Sequence, residues 1–226
     1  MQHATPDLYS LQLPVDGTHL DGRLAVPARA RGLVIFAHGS GSGMQSPRNG
    51  AVAADLRDAG LATLLFDLLD PAEQVRDARD RSLRFDIPLL GRRLGSVVDW
   101  AATHPATAML SVGLYGASTG AAAALIAAAD FPDRVAAVVS RGGRPDLAGA
   151  ALRDVQAPTL LIVGSLDHEV LQLNQAAASR MVHAAARLEV VRGATHLFEE
   201  PGTMDEVARL TIDWFCRHLP AGRGTR

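Results

Sequence analysis

The stretch that decides the fold runs from Met109 to Asp130 and reads MLSVGLYGASTGAAAALIAAAD. Its apolar start, 109–115, predicts a strand buried inside a sheet, and its alanine-rich end, 118–130, predicts a buried helix. Between them lies Gly116-Ala117-Ser118-Thr119-Gly120, where two glycines flank a serine at the turn from strand to helix. A strand that leads directly into a helix is the repeating unit of a parallel sheet covered by helices.

The same alternation of strand and helix extends through the chain from residue 33 onward. Further strands are predicted at 33–37, 61–66, 135–140, 159–163 and 188–191. Further helices are predicted at 49–59, 86–104, 170–184 and 203–219, with a short one around 146–153. The sequence therefore predicts an α/β fold with a mostly parallel sheet and helices on both faces, in a single domain over 1–226.

Two segments stand apart from this alternation. Leu8–Val15 and His19–Val26 surround Asp16-Gly17, which predicts an antiparallel hairpin before the main sheet. Residues 68–84 are charged and predict no regular element, and the arginine-rich part at 76–84 is expected to be a solvated face.

The composition excludes several classes of enzyme. All 22 basic residues are arginine, so no lysine can form a Schiff base, anchor pyridoxal phosphate or serve a phosphate-binding loop. Cys216 is the only cysteine, which excludes an intrachain disulfide and a multi-cysteine metal site; we expect it to be a buried core thiol. No set of His, Asp and Glu has metal-ligand spacing, so neither a metal nor a cofactor is predicted.

Charge and hydropathy bear on partners and location. A net charge of −2 predicts no binding of nucleic acid. No apolar stretch approaches the roughly 20 residues of a membrane span. The polar segment 1–10 does not fit a signal peptide, so a cytoplasmic location is expected. The oligomeric state has no signal in the sequence.

A serine, an acid and a histidine follow three predicted strands, in that order along the chain. Ser118 follows the strand at 109–115, Asp167 follows 159–163, and His196 follows 188–191. Ligands bind beyond the carboxyl ends of strands in such sheets. A serine on a Gly-x-Ser-x-Gly turn is a candidate nucleophile, a histidine can take its proton, and an aspartate can orient that histidine.

Two rivals for these roles stay open from the sequence. Asp67 also follows an apolar strand and is the alternative acid. His168 adjoins Asp167 in a predicted loop and is the alternative base.

The segment His38-Gly39-Ser40-Gly41-Ser42-Gly43 follows the strand at 33–37. A dinucleotide-binding loop would need glycine where Met44 stands, and a phosphate-binding loop would need a lysine. The remaining functional interpretation is a loop whose backbone N–H groups stabilise a tetrahedral oxyanion. The predicted donors are the amides of Ser40 and of Thr119, the residue after the candidate nucleophile.

Arg141 and Arg144 follow the strand at 135–140. They are candidates to bind a substrate carboxylate through paired hydrogen bonds. The alternative is structural pairing with Asp146 or Asp133.

Together these motifs resemble those of the α/β-hydrolase superfamily, and within it the dienelactone hydrolase-like branch. The resemblance covers nearly the whole chain and includes the run Phe85–Leu94. It implies a mostly parallel eight-stranded sheet and a cofactor-free mechanism through an acyl-enzyme. Many members carry a lid after the sixth strand, but residues 141–158 leave room for one short helix and no cap domain.

One departure from that branch bears on the substrate. Dienelactone hydrolase proper uses cysteine as the nucleophile on the turn from strand to helix, whereas this sequence has Ser118 there. The sequence therefore favours a serine esterase that acts on small or exposed acyl esters. Acyl transfer, amide or peptide cleavage and perhydrolysis use the same three residues and stay open as alternatives. A non-catalytic binding protein on the same scaffold is the remaining one.

Overall fold

The computed structural model describes residues 7–219, in which eight strands form one sheet. The strands are β1 (Asp7–Val15), β2 (Thr18–Val26), β3 (Leu33–Ala37), β4 (Ala62–Phe66), β5 (Val112–Ala117), β6 (Val135–Arg141), β7 (Thr159–Gly164) and β8 (Ala186–Val191). Their order is β1-β2-β4-β3-β5-β6-β7-β8. The pairs β1–β2 and β2–β4 are antiparallel and the other neighbours are parallel, which confirms the predicted mostly parallel sheet with its N-terminal hairpin.

Helices cover both faces of this sheet, as predicted. They are α1 (Pro47–Asp58), α2 (Pro71–Asp80), α3 (Ile87–Ala101), α4 (Gly120–Asp130), α5 (His168–Arg180) and α6 (Thr203–His218). The alternation along β3 divides the core in two, because successive side chains of a strand point to opposite faces. Leu33 and Ile35 pack in a cluster with residues of α3 and α4, whereas Val34 and Phe36 pack with residues of α1 and α6.

The hairpin turn follows from its two central residues. Asp16 and Gly17 both have positive φ, 49° and 77°. A two-residue turn with positive φ at both positions matches the right-handed twist of the strands that it joins, and Asp-Gly is among the sequences that favour it.

The segment 68–84 is the main error of the sequence-based prediction, because it contains α2. Asp70 caps this helix by accepting from the Glu73 amide, while the Glu73 side chain accepts from the Asp70 amide. Pro71 occupies the first turn, where its missing N–H has no cost. An acid, a proline and a glutamate at this spacing form a capping signal that the charge of the segment obscured.

In the arginine-rich part of that segment, Arg76, Arg79 and Arg81 are exposed, as expected of a solvated face, but Asp77 and Arg84 are not. Asp77 is only 4% exposed and accepts from the backbone amides of Leu83 and Arg84. The Arg84 Nε donates to the Asp77 Oδ2 over 2.6 Å. This ion pair and the two amide bonds fix the turn between α2 and α3 to the last turns of α2.

The connection from β6 to β7 holds one short element, a 3-10 helix at Pro145–Arg153. Its small size agrees with the prediction that no cap domain follows the sixth strand. Among residues 7–219, no helix combines the length and the apolar character that crossing a membrane requires.

Candidate active site

Ser118 lies on a tight turn between the end of β5 at Ala117 and the start of α4 at Gly120. Its φ of 50° places a non-glycine residue in the left-handed region, which is a strained conformation found most often at functional sites. A Cβ on Gly116 would lie 2.4 Å from the Ala121 Cα, and one on Gly120 would lie 2.2 Å from the Ala37 carbonyl oxygen. The two glycines of the motif are therefore needed for strand and helix to approach each other.

The structure brings the three side chains that the sequence singled out into one chain of contacts. The Ser118 Oγ lies 3.4 Å from the His196 Nε2, and the His196 Nδ1 lies 2.6 Å from the Asp167 Oδ2. The Asp167 side chain is 14% exposed, whereas that of His196 is 39% exposed. The acid is thus mostly shielded, and the imidazole is open to a ligand from solvent.

The loop after β8 that carries His196 is fastened at both sides of the histidine. The Thr195 amide and hydroxyl donate to the two carboxylate oxygens of Glu200, at 3.1 and 2.6 Å. These bonds lower the pKa of Glu200. Phe198 is 1% exposed and has a positive φ of 56°, so its ring anchors the loop in the core. The sequence-based reasoning missed Glu200 and Phe198, since neither belongs to a recognisable motif.

The two rivals for the acid and the base lie elsewhere. The Asp67 Oδ1 accepts from the Met44 amide over 2.7 Å, next to Gly43 of the glycine-rich loop. His168 is the first residue of α5, while the ring nitrogen beside Ser118 belongs to His196.

The glycine-rich loop lies directly against the turn that carries Ser118. A Cβ on Gly39 would lie 3.0 Å from the Ser118 Cβ. The Ser40 amide, one of the two predicted donors, donates to the Thr119 hydroxyl over 2.8 Å. Within residues 7–219, the amide of Thr119, the other predicted donor, has no hydrogen-bond acceptor. The loop thus places Ser40 at the site, with its N–H engaged by a neighbouring side chain.

His38 fixes the start of this loop. Its Nδ1 donates to the Gly39 carbonyl over 3.0 Å, and its Nε2 accepts from the Leu68 amide over 3.0 Å. One ring nitrogen that donates and one that accepts require the neutral imidazole. Desolvation lowers the pKa of His38, which agrees with that assignment.

A cavity of about 230 Å³ opens beside the glycine-rich loop. Asp67, Gln74, Arg84 and Leu90 line its other walls. The Arg84 Nε donates to the Asp77 Oδ2 and its Nη2 donates to the Asp77 backbone carbonyl. Its Nη1 lies 3.5 Å from the position that a Cβ on Gly41 would occupy. The cavity is large enough for a small organic group next to the Ser118 turn.

The remaining candidates of the sequence have structural partners. Arg144 forms a two-bond ion pair with Asp146, at 2.8 Å each. Arg141 is 5% exposed; its Nη2 donates to the Asn49 Oδ1 over 3.4 Å and its guanidinium lies over the Phe198 ring.

Cys216 on α6 is half-buried rather than buried as expected, because it lies at the edge of the cluster that α6 shares with the sheet. Across residues 7–219, no three His, Cys, Asp or Glu side chains are placed to hold a metal ion.

Comparison with known proteins agrees with this architecture. The model of an alpha/beta hydrolase domain matches residues 30–218. Dienelactone hydrolase from Anabaena variabilis superposes with a TM-score of 0.94 at 51% identity, over 96% of this chain and 100% of that one. Est1E from Butyrivibrio proteoclasticus, in complex with ferulic acid, has the same fold, with a TM-score of 0.77 at 17% identity over 92% of this chain and 99% of that one.

A curated relative carries a different description. A putative phosphoribosyl transferase of Mycobacterium tuberculosis is 59% identical over 198 residues, which are 88% of this chain and 44% of that protein. The chain therefore spans less than half the length of this relative. The match to the family model covers most of the chain, so the chain belongs to the α/β-hydrolase family, in its dienelactone hydrolase-like branch.

Proposed function

We propose that this chain is a serine hydrolase that cleaves carboxylic esters through an acyl-enzyme on Ser118. The observation that carries the proposal is the chain of contacts from the Ser118 Oγ through the His196 imidazole to the Asp167 carboxylate, at 3.4 and 2.6 Å. At 3.4 Å the Ser118 Oγ lies within reach of the His196 Nε2, and catalytic hydrogen bonds of this kind tighten in a substrate complex.

In the first half-reaction the Ser118 Oγ attacks the carbonyl carbon of the ester and the His196 Nε2 takes its proton. Asp167 holds the ring so that Nδ1 donates to it and stabilises the imidazolium that forms. The tetrahedral intermediate then collapses, the carbon–oxygen bond to the alcohol breaks, and the alcohol leaves with the proton from Nε2. In the second half a water gives its proton to the His196 Nε2 and attacks the acyl carbon. The bond from that carbon to the Ser118 Oγ then breaks, Oγ takes the proton back from Nε2, and the carboxylic acid is released.

The oxyanion of the intermediate needs hydrogen-bond donors that are already in place. The Thr119 amide is the first donor in this proposal, since it lies at the N-terminus of α4, where the helix dipole favours negative charge. The Ser40 amide is the second. The Ser40 N–H donates to the Thr119 hydroxyl in this structure. When substrate binds, this N–H must either form a bifurcated hydrogen bond that includes the oxyanion or turn from the hydroxyl to the oxyanion.

The site favours small or exposed acyl esters. The His196 side chain is substantially exposed and only a 3-10 helix lies between β6 and β7, so no cap of the described residues closes over it. The similar Anabaena protein is named a dienelactone hydrolase, and a lactone is a cyclic ester that the same steps would open. A lactone therefore belongs in the substrate panel beside linear esters.

Other acceptors would change the reaction without changing the acyl-enzyme. Alcohols would give acyl transfer and hydrogen peroxide would give perhydrolysis, and an amide donor would test peptidase activity. Competition of each acceptor with water for one acyl donor ranks these outcomes.

Phosphoribosyl transfer is the second candidate function, because the curated relative is described as a putative phosphoribosyl transferase. The segment it shares with this chain is only 44% of its length, and the family model matched here is that of a hydrolase domain. The chemistry of Ser118, His196 and Asp167 favours the hydrolase for the shared segment.

The experiment is labelling of the purified protein with a fluorophosphonate, together with hydrolysis of a panel of para-nitrophenyl esters of increasing acyl length. We expect labelling of the wild type and none of Ser118→Ala. We also expect Ser118→Ala to lower kcat/KM by about 10⁴-fold or more. Ser42→Ala, in the neighbouring loop, is the matched control and keeps most of the activity. A folded wild type that neither reacts with the probe nor hydrolyses any ester would refute the proposal.

A further inference from the structure

A second cavity, of about 430 Å³, lies on the α1 side of the sheet. Its floor is formed by β2 and β4, where Arg23 pairs with Leu65 and Ala25 pairs with Thr63. Residues directly opposite each other in a sheet share one face. The wall is formed by α1, whose Ala53 and Arg57 are four residues apart and hence on the same side of the helix.

The cavity is open to solvent at the hairpin. Leu8 of β1 lies at its rim and is 71% exposed. The opposite rim is the segment from Met44 to Pro47, which continues the glycine-rich loop into α1. A small ligand can therefore enter without any rearrangement of the sheet.

The charge of this cavity is one-sided. Among the side chains of residues 8–219, Arg23 and Arg57 line it, whereas no aspartate or glutamate does. The Arg57 Nη1 donates to a neutral group, the buried Thr63 hydroxyl, over 3.3 Å. Neither guanidinium takes part in any of the ion pairs formed among the side chains of residues 8–219. Two uncompensated cations in one cavity are notable in a chain of net charge −2, because they attract an anion from solution.

The remaining lining is largely apolar. Ala25, Met44, Ala53 and Leu65 contribute hydrocarbon surface between and beside the two arginines. Guanidinium groups match the geometry of carboxylate and phosphate oxygens, and methionine adapts to ligands of varied shape.

We propose that this cavity, which we term the Arg23–Arg57 groove, binds a small organic anion. Its carboxylate or phosphate monoester group contacts the two guanidinium groups, and a short aliphatic part lies against Met44 and Leu65. The groove lies on the sheet face beside α1, apart from the cavity beside the glycine-rich loop, and its binding does not depend on the proposed esterase activity.

The test uses the whole chain and four probes of the same length: hexanoate, hexyl phosphate, hexan-1-ol and hexylammonium. Binding is measured by isothermal titration calorimetry in Ser118→Ala, so that turnover and acyl-enzyme formation do not contribute. We expect hexanoate or hexyl phosphate to bind with a Kd below about 1 mM, and the alcohol and the ammonium to bind at least tenfold more weakly. The stronger of the two anions identifies the headgroup.

Variants locate the site. Arg23→Gln and Arg57→Gln, added singly to Ser118→Ala, are expected to weaken binding of the anion about tenfold each, the loss typical of one hydrogen bond to a charged group. Arg92→Gln, an exposed arginine on α3, is the matched control and leaves the Kd unchanged. When Ser118 is left intact, Arg23→Gln and Arg57→Gln are each expected to keep wild-type ester hydrolysis, which separates this site from the catalytic one.

Three results would overturn the proposal. No binding of either anion at 10 mM excludes the site. An unchanged Kd in Arg23→Gln/Arg57→Gln shows that the anion binds elsewhere, for example as a product at the Ser118 site. A dimer in sedimentation velocity that the double variant abolishes shows that a second copy of the chain occupies the groove instead.

Discussion

Two neighbouring turns at the same edge of the sheet are held in opposite ways. The turn after β5, which carries Ser118, is fixed by contact between backbones, since Gly116 and Gly120 leave no room for a Cβ. The glycine-rich loop after β3 has space around Gly41 and is fixed by hydrogen bonds to side chains of other segments. The Ser40 amide bonds to the Thr119 hydroxyl, and the Met44 amide bonds to the Asp67 carboxylate.

In the proposed mechanism, this difference separates a nucleophile that must not move from oxyanion donors that must adapt. Backbone packing over-determines the strained φ of Ser118, which fixes the direction in which its side chain leaves the backbone. Hydrogen bonds of the glycine-rich loop can be exchanged at little net cost, because one acceptor replaces another. The Ser40 amide can therefore transfer from the Thr119 hydroxyl to a developing oxyanion within the proposed mechanism.

The largest expected effect comes from a methyl group at the rigid turn. Gly120→Ala would place a Cβ 2.2 Å from the Ala37 carbonyl and 2.5 Å from that of His38. Neither carbonyl can move away without shifting the end of β3. We therefore expect a loss of about 4 kcal/mol or more in the free energy of unfolding, or failure to fold. Urea denaturation of the purified variant measures it.

Gly41→Ala is the matched change in the other loop. Gly41 has a φ of 73°, and its Cβ would meet only the flexible end of Arg84, at 3.5 Å. The left-handed backbone alone then costs about 1–2 kcal/mol. If the two variants lose equal stability, the contrast between the two turns is wrong.

An intermediate effect is expected at Thr119, which links the two turns. Thr119→Val keeps the shape of the side chain but removes the acceptor of the Ser40 amide, and a partly buried N–H without a partner costs about 1–3 kcal/mol. Thr119→Ser retains a hydroxyl and is expected to stay within about 1 kcal/mol of the wild type. Equal stability of the valine and serine variants would show that the bond contributes nothing to holding the loop.

The smallest effect is a dependence of stability on pH that originates at His38. Desolvation lowers the pKa of His38 below its ordinary value of 6.5, so the unfolded chain binds the proton more readily than the folded one. The contribution of this residue is present above 6.5 and is lost as the pH falls toward the folded-state pKa. Unfolding in urea at pH 7.5 and 5.5 measures it, with His38→Gln as the comparison; a variant with the same pH dependence as the wild type would locate the titration elsewhere.

The sequence was sufficient where local pattern and local structure coincide. The apolar run 33–37 was predicted at its observed bounds. The strand and the helix around Ser118 were predicted in the right order, but at 109–115 and 118–130, whereas they lie at Val112–Ala117 and Gly120–Asp130. Helix α2 was missed because its signal is a capping box of polar residues, which resembles a charged loop.

Other features of the site were either missed or left open by the sequence, because they depend on which side chains the fold brings into contact. The Ser40 amide finds its acceptor 79 residues away, and nothing in the glycine-rich motif indicates which side chain that is. Arg144 has an equally good structural explanation in its ion pair with Asp146, which only the folded geometry could separate from a role in binding substrate. Phe198 has a left-handed backbone and anchors the His196 loop, and no sequence motif indicates this role.

The most direct test of the central claim is to trap the acyl-enzyme. The wild type is mixed with a para-nitrophenyl ester, quenched in acid within its first turnovers, and analysed by intact mass spectrometry followed by peptide mapping. The account predicts one acyl group per chain on the peptide that contains Ser118, and none in Ser118→Ala. Turnover of the ester with no adduct, or with an adduct that maps to Cys216 or another residue, would contradict it.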